Sequence, residues 1–76
     1  MTSLSINEKI GIKTRLLRIK MKLSQEKLAE FADINKNTIG LIERGEISPT
    51  IETLDRIAKA LNIELKELVD VSKIDL

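Results

Sequence analysis

The sequence predicts an all-α protein of five short helices in one domain. Three observations carry this prediction. Apolar residues recur at i, i+3 and i+4, no segment alternates with period two for long enough to form a strand, and cap and stop residues punctuate the chain at short intervals. The single proline and two of the three glycines are expected where helices stop or turn. No repeat, low-complexity stretch or linker divides the 76 residues, so residues 1–76 are expected to form a single domain.

The first helix is expected from Ile6 to Met21, with Ile6, Ile10, Leu17 and Met21 at helical spacing and Thr14 filling the gap. Leu23-Ser24 then interrupts, and Ser24 caps a second segment to Ala32 whose buried stripe is Leu28, Phe31 and Ala32. Asp33-Ile34-Asn35 reads as a tight turn, because Asp tolerates left-handed dihedrals and Asn35 is a strong N-cap. The third helix spans Lys36 to Arg44 and stops at Gly45. Thr50 caps a fourth helix that runs to Leu61 and buries Leu54, Ile57, Ala58 and Leu61, and Asn62 takes the left-handed stop. A short fifth helix, Glu64 to Val71, presents Leu65, Leu68 and Val69.

Composition excludes several classes of chemistry. Histidine and cysteine are both absent, which removes disulfides, zinc clusters and imidazole acid–base catalysis. No nucleophile–base pair or metal set stands in their place, so the chain is expected to be no enzyme and to need no cofactor, metal or small-molecule ligand. Phe31 is the sole aromatic residue, which leaves the core to Ile and Leu. No apolar run approaches the roughly 20 residues that span a bilayer, and the N-terminus lacks a signal-peptide core. The expectation is a soluble, cytoplasmic domain without membrane contact.

The net charge of +1 conceals an uneven distribution. Residues 1–27 hold seven basic side chains and two acidic ones, giving +5, whereas residues 28–50 and 51–76 each carry −2. A basic first third suits a one-faced contact with a polyanion, although a solvated face has the same composition.

Two short helices joined by a turn of about three to four residues define a helix-turn-helix. Here that unit covers residues 24–44. With residues placed at about 100° intervals, Ile39 and Ile42 centre the buried face of the second helix. Lys36, Asn37, Gly40, Leu41 and Arg44 fall on the opposite arc. A helix held by two isoleucines, with such an arc outward, suits a DNA major groove. A surface helix that is merely solvated remains the alternative on this pattern alone.

The runs Leu23-Ser24-Gln25-Glu26-Lys27-Leu28-Ala29, Asn35 through Thr38-Ile39, and Ile42-Glu43-Arg44-Gly45 resemble the Cro/repressor-type (Xre) helix-turn-helix family. The similarity continues through Ser48-Pro49-Thr50-Ile51-Glu52-Thr53-Leu54 and Ile57-Ala58-Lys59-Ala60-Leu61, and covers about residues 10 to 70. The resemblance implies a lambda-repressor-like five-helix domain that binds double-stranded operator DNA as a homodimer and regulates transcription. The setting it implies is a repressor or controller in a phage, plasmid or restriction–modification system.

Carried over position by position, the resemblance implies that Lys36, Asn37 and Leu41 read bases, with Gln25 beside them. Ser24, Gln25, Thr38, Arg44 and Arg15 are the implied phosphate contacts, and Arg18 with Glu43 the implied structural ion pair, with phosphate the alternative partner of Arg18. Lys donates to guanine O6/N7, Asn pairs with adenine, and Leu lies against a thymine methyl. Three departures weaken the expected DNA contact or strain the turns. Lys22 and Asp33 stand where the family often has Gly, Gly40 removes one reading side chain, and Glu46 follows the helix where relatives often carry a base.

A single copy is therefore expected to bind weakly. Two half-sites about one DNA turn (~34 Å) apart would make two weak contacts useful. The expected dimer contact lies in residues 64–76, through Leu65, Val69, Val71, Ile74 and Leu76. Ile12, Leu16 and Ile19 form a second surplus stripe on the first helix. That stripe, with the reduced charge, favours the alternative of an antitoxin-like subunit whose partner is another protein.

Overall fold

Residues 3–74, which the computed structural model describes, form five helices: α1 (Ile6–Lys20), α2 (Gln25–Ala32), α3 (Lys36–Glu43), α4 (Ile51–Ala60) and α5 (Leu65–Val69). No strand occurs among the described residues. Each of the first four helices starts on a polar side chain that takes up an otherwise orphaned backbone amide. Ser24 Oγ accepts from the Lys27 amide (3.0 Å), Asn35 Oδ1 from Asn37 (2.7 Å) and Thr50 Oγ1 from Thr53 (3.1 Å). Ser5 and Glu8 form a reciprocal capping box. Its S-x-x-E spacing is the sequence signature of that box.

The same four helices end in one motif. Lys22, Asp33, Gly45 and Asn62 all take left-handed backbone, with φ of 59°, 57°, 72° and 58°. The next residue's amide then bonds five residues back: Leu23 to the Arg18 carbonyl, Ile34 to Ala29, Glu46 to Leu41 and Ile63 to Ala58. This is the Schellman arrangement, in which the residue after the left-handed one usually contacts the preceding helix. Leu23, Ile34 and Ile63 do so, and pack on the core although none lies in a helix. The fourth is Glu46, which is exposed.

Helix α1 packs on α3 and α5, α2 on α3 and α4, and α4 on α5. Their shared centre is Leu28, Ile39, Ile42, Ile57, Leu61 and Leu68, with no side chain more than 2% exposed. Thr14 is equally buried, and its hydroxyl donates to the Ile10 carbonyl at 2.8 Å, so no buried side-chain polar atom among the described residues lacks a partner.

Phe31 is 57% exposed, and Ala29 takes its place beside Leu28 and Ala32. The small alanines let α2 approach both α3 and α4, whereas the phenylalanine lies on the flank under Lys27, whose Nζ is 6.0 Å from the ring centroid. Ile6 and Met21 are exposed rather than buried. They stand at the two ends of a helix about 22 Å long, which α3, about 12 Å long, cannot cover.

Among the glycines only Gly45 ends a helix; Gly11 and Gly40 lie inside α1 and α3. Gly11 marks a close crossing, since a Cβ there would stand 2.4 Å from the Ile42 carbonyl oxygen. Helix α5 is shorter than expected and stops where Asp70 turns extended, at ψ 97°. Beyond it the Asp70 carboxylate accepts from the Ser72 hydroxyl (2.7 Å) and amide (3.2 Å), and these bonds hold its pKa below the ordinary carboxylate value.

Candidate nucleic-acid interface

The outward face of α3 is held at both ends. Asn35 fixes the start of the helix through its cap on the Asn37 amide, and so sets where Lys36 and Asn37 point. Glu43 fixes the other end. Its carboxylate accepts from Arg18 Nε at 2.6 Å and from Arg18 Nη2 at 3.0 Å, a bidentate pair with side-chain exposures of 12% and 3%. Arg18 also donates to the Leu23 carbonyl at 2.8 Å, and Gln25 Nε2 donates to Glu43 Oε1 at 3.0 Å. One carboxylate thus ties α1, α2 and α3 together behind the exposed face. Geometry of this quality is what a buried pair needs to offset its desolvation.

In front of that brace lies a shallow groove of about 290 Å³, lined by Gln25, Lys36, Asn37, Gly40, Leu41 and Arg44. It brings together the four residues expected to read bases and two of the five expected phosphate contacts, Arg44 and Gln25, the latter expected in both roles. Gln25 is half-buried, and its amide nitrogen bonds Glu43, the last residue of α3. Leu41 is half-buried, and Asn37 is exposed. The two cations in the lining are both paired: Lys36 Nζ lies 4.0 Å from Glu26 Oε2, and Arg44 Nε donates to Glu46.

Ser24, Thr38 and Arg15 lie outside the lining of the groove. Ser24 serves as the cap of α2, Thr38 is half-buried, and Arg15 is exposed on α1. Of the residues expected at a dimer contact, Leu65 and Val71 are partly buried against the chain's own core, which removes part of that surface. Val69 is exposed, Ile74 is half-buried, and Leu76 lies outside the described residues. On α1, Leu16 and Ile19 are 56% and 52% exposed and Ile12 is half-buried, so the surplus stripe is uncovered.

Five helices with a capped α2–turn–α3 unit, braced from behind and grooved in front, define a helix-turn-helix protein. The chain belongs to the helix-turn-helix family of transcriptional regulators: the family model described as Helix-turn-helix (HTH_3) matches residues 15–68. It is 38% identical over 65 residues to control protein C.BamHI of Bacillus amyloliquefaciens, a match covering 84% of this chain and 80% of that protein. It is also 38% identical over 61 residues to RstR, the cryptic phage CTXphi transcriptional repressor of Vibrio cholerae. That match covers 80% of this chain and 55% of RstR, so the chain spans about half the length of that relative. Among solved structures, the restriction-modification controller C.AhdI of Aeromonas hydrophila superposes with a TM-score of 0.80 at 35% identity, over 82% of this chain and 94% of C.AhdI.

Proposed function

We propose that this chain is a sequence-specific double-stranded DNA-binding regulator of transcription, a repressor or controller that lays α3 in the major groove. The observation that carries the reading is the groove itself, because its lining collects Gln25, Lys36, Asn37, Leu41 and Arg44 on one outward face. In this reading Lys36 donates to guanine, Asn37 pairs with adenine, and Leu41 packs on a thymine methyl. Gln25 sits beside them, while Arg44, Thr38, Ser24 and Arg15 meet phosphates and set the register. The Arg18–Glu43 pair holds the helix rigid and touches no DNA.

Two copies bind a palindromic operator, joined through the exposed part of α5 and the tail, with Val69 and Ile74 at the contact. Half-sites then lie about one turn (~34 Å) apart. The test is selection from random duplexes at two salt concentrations, with sedimentation to count subunits. A palindromic site bound by two copies, with affinity falling steeply with salt, is the expected result. Lys36→Ala with Asn37→Ala should cost about 30-fold or more on that site, since each of the two base contacts is worth roughly 1–3 kcal/mol. Weak, sequence-blind binding would instead favour the protein-interaction subunit, to which the uncovered Leu16 and Ile19 stripe is suited.

A further inference from the structure

Both cations that line the groove are held by carboxylates of the same chain, Lys36 by Glu26 and Arg44 by Glu46. All four side chains are largely exposed, so the pairs are weak and open readily. Their placement does not follow from helical spacing. Lys27–Glu30, Arg56–Glu52 and Lys59–Asp55 are one-turn pairs within a single helix. Lys36–Glu26 joins α3 to α2, and among the described residues only it and the buried Arg18–Glu43 brace link two helices by an ion pair.

Glu46 is positioned by the helix stop. It occupies the place after the left-handed residue where α1, α2 and α4 carry Leu23, Ile34 and Ile63, all turned to the core. At the end of α3 the same motif sets a carboxylate beside the groove. Lys9, Arg15, Lys20 and Lys22, by contrast, enter no ion pair among the described residues. Two of the seven ion pairs among the described residues thus fall on the cations that face the groove.

We propose that Glu26 and Glu46 are intramolecular competitors of DNA for Lys36 and Arg44, and so limit the affinity of each copy. This rests on the DNA-binding reading above. A duplex must displace each carboxylate before the cation behind it makes its own contact, and the displaced carboxylate then stands near phosphate. Each pair also removes one cation from the set that releases counterions, which flattens the salt dependence of binding.

The test compares the full chain with Glu26→Gln, Glu46→Gln and both together, on the duplex selected above, across a range of salt. Asp55→Asn serves as the control, since it removes the same charge from a lysine pair on α4, away from the groove. Circular dichroism melts confirm that every variant is folded. Each groove variant should bind about three- to tenfold tighter at low salt, and the slope of log affinity against log salt should steepen, by about 0.9 where the freed cation meets a phosphate, as Arg44 does. Asp55→Asn should change affinity less than about twofold, its charge being screened at that distance. A carboxylate whose variant fails to move both readouts beyond the control does not have this role, and the DNA-binding reading stands without it. If neither the parent chain nor the double variant binds any duplex, the DNA-binding reading fails and the competition with it.

Discussion

A Cβ on Gly11 would meet the Ile42 and Glu43 carbonyl oxygens at 2.4 and 2.6 Å, both backbone atoms of the helix that α1 crosses. A Cβ on Gly40 would meet only the end of the Arg44 side chain, at 3.0 Å. The same substitution is therefore expected to act with opposite sign at the two sites. Gly11→Ala should destabilise by about 1–3 kcal/mol, because overpacking forces α1 from α3 and outweighs the gain in helix propensity. Gly40→Ala should stabilise by up to about 1 kcal/mol, since Arg44 can swing aside. Urea titration followed by far-ultraviolet circular dichroism measures both, the chain having no Trp or Tyr to report by fluorescence. The same titration tests the brace. Glu43→Ala leaves Arg18 without its partner in a largely buried site and should cost roughly 3–5 kcal/mol.

At the scale of elements, stops and starts decide most of the helix boundaries, and both are local. Lys22 ends α1 at φ 59°, a conformation that costs a residue with a Cβ roughly 1–2 kcal/mol and glycine much less. Lys22→Gly should therefore raise stability by about 0.5–1 kcal/mol, the unfolded chain's added freedom cancelling part of the gain. Thr50→Ala removes the hydroxyl that caps α4 and should cost about 1 kcal/mol in the same titration. These elements were legible because cap and stop residues act within a few positions of themselves. Helix α5 was less so: Glu64 supplies no side-chain cap, and its end depends on where Leu68 meets the core.

At the scale of the whole molecule, affinity in the proposed mechanism comes from two copies, and their contact is expected around Val69. Val69→Asp should shift the sedimenting species from dimer to monomer and weaken operator binding, while helical content stays unchanged because Val69 is exposed on the isolated chain. A variant that remains dimeric would move the contact elsewhere, with the uncovered Leu16 and Ile19 stripe the next surface to test.

The amino-acid sequence by itself determined the helix count, the caps at Ser24, Asn35 and Thr50, and the left-handed stops at Asp33, Gly45 and Asn62. It also determined which arc of α3 faces outward, because Ile39 and Ile42 leave Lys36, Asn37, Leu41 and Arg44 on the other side. All of these follow from interactions spanning a few residues, which a linear pattern records. Only the tertiary structure decided that Ala29 and not Phe31 is buried, that Gly11 lets two backbones touch, and that Gln25 joins the Arg18–Glu43 brace. It alone decided that Lys36 of α3 pairs with Glu26 of α2. Periodicity names candidate faces, but the distance between helices selects the side chains that fit and the charges that meet, and that distance is set by residues far apart in the chain.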